Sequence, residues 1–263
     1  MPRAIARRQS DPRRQRRAAK TYELYYWPGI QGRGEFVRLA LEDAGAAYVD
    51  VARERSPDRG MAAMIKMLKG GDDALTPFAP PFLRDGAVVV SHVANILAYL
   101  APKLGLAPPT EALRIFAHGL QLTVTDFVAE VHDTHHPIST ELYYEDQKKE
   151  AKARAAAFLD HRLPKYLGYF ERVQQSNPDG PGHPVGAALT YVDLSLFQLA
   201  EGLSYAFPNA MAKFATKYPA LAALRGSVKA QPRIAAYLAS PRRLPFNEDG
   251  VFRHYPELDR RAK

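Results

Sequence analysis

The chain has 263 residues, 46% of them hydrophobic and 24% charged, with no cysteine. That length holds one large core or two ordinary ones. The missing thiols exclude disulfides, thiolate metal sites and any redox chemistry carried by the protein's own sulfur. No apolar run approaches the roughly 18 residues of a membrane span.

The formal net charge of +8 is concentrated at one end. Arg3, Arg7, Arg8, Arg13, Arg14, Arg16, Arg17 and Lys20 stand against Asp11 alone, so residues 1–20 carry +7 and the other 243 residues carry +1. This basic arm lacks the apolar h-region of a secretory signal. Acid-poor basic segments can target mitochondria or dock on nucleic acid. The arm is read here as a disordered, solvated tail. Nucleic-acid binding stays as an alternative, tested by salt-sensitive DNA retention that is lost when residues 1–20 are removed. No aromatic occurs among residues 1–21 to stack on bases.

The body opens with Tyr22–Trp27, an aromatic run suited to a half-buried strand, and a turn at Pro28-Gly29. Val37, Ala40, Leu41 and Ala44 then fall at helical spacing, with Gly45 as the stop. Tyr48–Val51 reads as a second, parallel strand, so strand–helix–strand order predicts an α/β unit with a right-handed crossover. Met61, Met64, Ile65 and Leu68 mark a helix whose methionines are core filler, ended by Gly70-Gly71-Asp72-Asp73. Ala79-Pro80-Pro81 precedes Phe82–Val90, where Asp85-Gly86 predicts a two-residue hairpin. The prolines are a natural place for a cis bond. Val93, Ile96, Leu97 and Leu100 begin another helix, whose free amides near Ser91-His92 favour an anion.

Residues 102–109, with three prolines among them, read as a linker. Beyond it the chain is nearly all helix. Leu113, Phe116, Leu120, Val124, Phe127 and Val131 mark one long amphipathic helix that Pro137 must end. A second helix spans about Asp146 to Val173, with a break at Leu163-Pro164. Thr190-Tyr191-Val192-Asp193 has the pattern of an N-terminal cap. Pro219 and Pro232 suit the first turns of two further helices. Residues 240–263 read as a polar tail packed on the surface. The expected organisation is an arm over 1–20, an α/β domain over 21–101, a linker over 102–109, and a helical domain with its tail over 110–263.

Three motifs together give this chain a family resemblance: Tyr25-Tyr26-Trp27-Pro28 with Gly32-Arg33-Gly34-Glu35, the run Pro81-x-Leu83-x-Asp85-Gly86, and Leu189-Thr190-Tyr191-Val192-Asp193. Over residues 22–240 it resembles a cytosolic glutathione transferase, closest to the tyrosine-type sigma, pi and mu classes. The resemblance implies a thioredoxin-like α/β N-terminal domain followed by an all-α helical-bundle domain. It also implies a cytoplasmic, homodimeric detoxification enzyme without a membrane partner. Glutathione would be the co-substrate and a small hydrophobic electrophile the acceptor, with no metal required.

In the resemblance the catalytic tyrosine is Tyr26, which would donate a hydrogen bond to the glutathione sulfur. A free thiol has a pKa of about 8.5, and lowering it by two units is worth roughly 2.7 kcal/mol, within reach of a directed hydrogen bond in a site with little water. Cysteine-type classes are excluded by composition, and serine-type classes by the lack of any serine between residues 21 and 55. Trp27, Arg33, Pro80, Pro81, His92, Val93 and Asp126 are the positions implied to contact glutathione, Asp126 across the dimer.

Two of those positions depart from the family pattern. Pro80, before the implied cis-proline Pro81, has no N–H to pair with the cysteinyl unit. His92-Val93 replaces a typical Gln-Ser pair, so no hydroxyl holds the γ-glutamyl carboxylate. One or two lost charge-assisted bonds, at about 1.5–3 kcal/mol each, would weaken glutathione tens to thousands of fold. A non-catalytic binder that keeps the fold and its cleft is therefore the alternative. Finally, His132 and His136 share a helix face at a spacing that zinc sites use. A third ligand is not evident from the sequence, so this region is read as lining the electrophile pocket.

Overall fold

A computed structural model describes residues 21–70 and 75–261. The basic arm and the Gly71-Asp72-Asp73 part of the expected helix stop lie outside them. The first strand, β1 (Tyr22–Tyr25), pairs in parallel with β2 (Tyr48–Asp50) after helix α1 (Gly34–Ala44). Helix α2 (Met61–Leu68) leads to β3 (Phe82–Asp85) and β4 (Val88–Ser91), which complete a mixed sheet of order β2-β1-β3-β4. The β1–β3 and β3–β4 pairs are antiparallel.

Alternation along β1 sorts the two faces. Tyr22 and Leu24 pack with Leu83, Val37, Leu41, Ile96 and Leu100 on one side. Tyr25 stacks on Phe82 at 4.5 Å on the other, over Met64. Helix α3 (Val93–Leu104) follows β4 directly. Gly45 ends α1 in the left-handed region, as its position predicts.

Several expected boundaries shift. Strand β1 stops at Tyr25, which leaves Tyr26 and Trp27 in the loop, and Val51 begins a 3₁₀ turn rather than ending β2. The hairpin turn is Gly86-Ala87: Asp85 still pairs with Val88, and Gly86 takes φ +64° at the first central position. Met61 is 38% exposed and Phe116 46%, so neither belongs to the core. The linker is also shorter than the prolines suggest. Helix α3 runs through Pro102 to Leu104, and Leu106 N–H closes its end on the Ala101 carbonyl. Pro102 has no N–H for the Ala98 carbonyl, so one ladder bond is forfeited just before the helix ends.

The remainder is helical: α4 (Glu111–Asp133), α5 (Lys148–Ala157), α6 (Leu163–Gln175), α7 (Tyr191–Ala206), α8 (Phe214–Lys217), α9 (Pro219–Ala230) and α10 (Pro232–Leu238). The break before Pro164 is a π-helical stretch over Phe158–Arg162, which absorbs the bond the proline cannot make. Thr190 caps α7 as expected, with Asp193 reaching back to the Thr190 amide at 2.8 Å. The largest core unites α1 and α3 with these helices.

The segment after Leu238 is more than a surface cover. Val251 and Phe252 are buried in the large core. Arg243 reaches Glu35 at 2.5 Å and Gln198 at 3.0 Å. Its polar sequence conceals these anchors because the partners are buried polar groups from other elements.

Candidate functional site

The loop between β1 and α1 carries the first motif, and Tyr26 lies beneath it. The side chain is 3% exposed, and its hydroxyl accepts the Arg33 amide at 2.8 Å. The glycines around Arg33 allow this approach. A Cβ at Gly32 would collide with the Tyr26 hydroxyl, and one at Gly34 would lie 2.6 Å from the ring. Gly32 also holds φ +44°. Burial pushes the Tyr26 pKa up, opposed by the Arg33 amide, so the phenol keeps its proton at neutral pH. The amide uses one lone pair, and the O–H remains a donor.

A buried polar network fixes this loop. Arg38 is wholly buried and donates to the Gln31 carbonyl at 3.2 Å, to Glu35 at 3.2 Å and to Asp50 at 2.7 Å. The Gln31 side chain bridges the Leu244 carbonyl and Gln198. Glu35 also accepts from Tyr237 at 2.6 Å and pairs with Arg243. The sheet's first helix, α7, α10 and the tail therefore converge on residues 31–35. A single sequence shows none of these long-range partners.

Beside the loop opens a cavity of about 310 Å³, bounded by Arg33, Pro80, Pro81, His92 and Val93 on one side and by Gln121, Val124, Thr125 and Val128 of α4 on the other. The Pro80–Pro81 bond is cis, at the position the sequence suggested. His92 precedes α3 with φ +73°, the one non-glycine residue at positive φ among the described residues, and donates its amide to the Pro81 carbonyl at 3.3 Å. Five of the eight candidate residues thus meet in one cavity.

Tyr26, Trp27 and Asp126 are not among the lining residues. Tyr26 reaches the cavity's edge only through Arg33, Trp27 is 37% exposed, and Asp126 faces solvent on α4.

Gln121 is a lining residue that no sequence pattern marks. It is fully buried and accepts the Ser195 hydroxyl at 2.7 Å, while its amide nitrogen has no partner. A buried donor without an acceptor costs about 1–3 kcal/mol.

One helical turn beyond Val128 lie His132, His135 and His136. His132 stacks on His136 at 4.7 Å, and His135 meets both rings edge-on. Burial holds His132 down to about 3 and His135 to about 2, with Arg33, Arg253 and the neighbouring imidazoles adding to it. All the rings are neutral at physiological pH.

Residues 132–241 match the family model described as the C-terminal domain of glutathione S-transferase. The Plasmodium falciparum glutathione S-transferase is 25% identical over 222 residues, 82% of this chain and 94% of the relative. Glutathione S-transferase P 1 of Xenopus laevis is 28% identical over 224 residues, 84% and 93% of the two chains. Among solved structures, the pi-class glutathione S-transferase of Onchocerca volvulus aligns with a TM-score of 0.63 at 21% identity, covering 82% of this chain and 91% of that one. The prostaglandin synthase D of Nilaparvata lugens aligns at 0.65 and 21%, covering 86% and 100%. The shared fold is a thioredoxin-like α/β unit followed by a helical bundle.

Proposed function

The chain belongs to the glutathione S-transferase family, and on that premise we propose that it joins the sulfur of glutathione to an apolar electrophile, with Tyr26 as the group that polarises the thiol. The observation that carries this reading is the Tyr26 hydroxyl, bonded to the amide of Arg33, a residue that lines the cis-Pro81 cavity. Glutathione would lie along Pro80, Pro81 and the start of α3. The unpaired amides and dipole of that helix, with His92, would face its γ-glutamyl carboxylate. Valine at position 93 adds no hydroxyl, and Pro80 contributes a carbonyl only.

The thiol loses its proton to solvent. The neutral phenol then donates to the resulting thiolate, which stabilises the charged form. The thiolate's electron pair forms the new carbon–sulfur bond, while the electrophile's leaving group departs with the electrons of the bond that breaks. The acceptor would pack against Val124 and Val128, and the Gln121 amide would bind one acceptor atom on it. As in the family, the working form would be a dimer.

Tyr26→Phe tests this assignment. Conjugation of a chromogenic electrophile should fall at least tenfold while glutathione retention persists, and undiminished turnover would sink the mechanism.

A second reading has its own support. Tyr26 is buried rather than lining the cavity, and two anchoring positions are altered. A non-catalytic ligand binder would retain the apolar cavity yet fail both to adhere to immobilised glutathione and to turn over any thiol acceptor.

A further inference from the structure

The histidines at the end of α4 have an arrangement that the glutathione chemistry does not use. From His132, His135 and His136, one ring nitrogen each lies within 4.8 Å of the other two. His135, outside the i, i+4 pair, supplies the third donor from the same turn. Its Nε2 lies 2.9 Å from the Val251 carbonyl, which accepts the ring's N–H and leaves the Nδ1 lone pair facing the cluster. Fixing the outer nitrogen on a carbonyl is how histidine ligands are oriented in metal sites.

We propose that His132, His135 and His136 form a binding site for a zinc-like transition-metal dication, with three imidazole ligands and an open fourth position. Imidazole suits zinc, copper, nickel and cobalt, and three protein ligands leave room for an exchangeable one.

The metal-free geometry shows what must change on binding. The Nδ1 atoms of His135 and His136 lie 2.6 Å apart, closer than two ligands on one ion. Metal–nitrogen bonds of about 2.0–2.1 Å in a tetrahedron put the donors about 3.3 Å from each other. Because the His135 proton sits on Nε2, the short contact is a hydrogen bond donated by His136 Nδ1–H. On coordination that Nδ1 proton leaves to solvent, Nε2 takes one up, and the freed lone pair binds the ion. No proton is released overall.

The location gives the fourth position meaning. His132 lies one turn from Val128 on the cavity side of α4. Arg33, a cavity residue, is close enough to act electrostatically on His132, and Arg253 acts on His136. Two guanidinium groups beside a dication oppose its charge, so the exchangeable ligand expected here is anionic.

The untagged full chain, treated with a chelator and then dialysed, is titrated with Co²⁺ and followed by visible absorption. One ion per chain should bind with the intense bands of a tetrahedral site, and Zn²⁺ should displace it. His132→Asn and His136→Asn, each confirmed folded by circular dichroism, should weaken binding more than tenfold. His161→Asn, outside the cluster, should leave it unchanged. Absence of the cobalt bands in the unaltered chain, or equal binding by the folded His132 and His136 variants, would overturn the site.

Discussion

Glu35→Gln is the most direct test of what holds the Tyr26 loop in place. Glu35 is fully buried and is shared by three donors: Arg38 at 3.2 Å, Arg243 at 2.5 Å and Tyr237 at 2.6 Å. The amide is nearly isosteric, so no cavity opens. Tyr237 can still donate to the amide oxygen, but the NH₂ must face a guanidinium that has lost its counter-charge. Arg38 retains Asp50 at 2.7 Å. Arg243, whose side chain is 9% exposed, retains only neutral acceptors, the amide oxygen and that of Gln198.

Removing one partner of a buried pair costs about 3–5 kcal/mol. Because Asp50 still compensates Arg38, the lower end, about 3 kcal/mol, is expected. For a chain of this size that corresponds to a fall in Tm of roughly 6–12 °C. Urea unfolding measures the loss, and a double-mutant cycle with Arg243→Met apportions it. If the pair is coupled as drawn, the double variant should lose about 1–3 kcal/mol less than the two singles added together. A loss below about 1 kcal/mol for Glu35→Gln, or strict additivity in the cycle, would refute the claim that this network clamps the loop.

Further outcomes follow from other contacts. Val93→Ser restores a hydroxyl at the start of α3, and one charge-assisted hydrogen bond should tighten glutathione about tenfold or more in calorimetry. Gln121→Met keeps the volume but removes the unpaired buried donor. It also takes the acceptor from the buried Ser195 hydroxyl, so thermal stability should change little while KM rises for an acceptor-bearing electrophile, and an unchanged KM argues against the role given to that amide. Gly202→Ala would drive its Cβ into the Phe252 ring, so about 1–3 kcal/mol should be lost if the tail docks as seen.

His183 bonds Asp193 at 2.7 Å, and that bond raises its pKa. A raised folded pKa stabilises fully below the unfolded value of about 6.5 and is lost as pH rises through the folded one. The stability gap between the unaltered chain and His183→Gln should therefore shrink from pH 6 towards pH 9.

Much of this molecule was legible in its sequence because the deciding interactions are local. The αL stop at Gly45, the capping box of Thr190 and Asp193, the first-turn prolines 219 and 232, and the cis position of Pro81 each depend on a few neighbouring residues. Where a local rule allowed two answers, boundaries moved by a residue or a turn, as at Gly86-Ala87 and Pro102. Arg33, Pro80, Pro81, His92 and Val93, which the family resemblance marks, line one cavity.

What only the tertiary structure decided were contacts between residues distant in the chain. Glu35 meets Arg243, Gln31 meets Gln198, Gln121 meets Ser195, and His135 meets the Val251 carbonyl. No periodicity encodes such pairs, because a buried polar group is satisfied by whichever partner the packing brings within about 3 Å. The sequence alone determined that a tyrosine stands near the end of an aromatic run and is followed by a Gly-Arg-Gly segment. Packing decided that this tyrosine is buried, held by one amide, and reaches the cavity only through its neighbour.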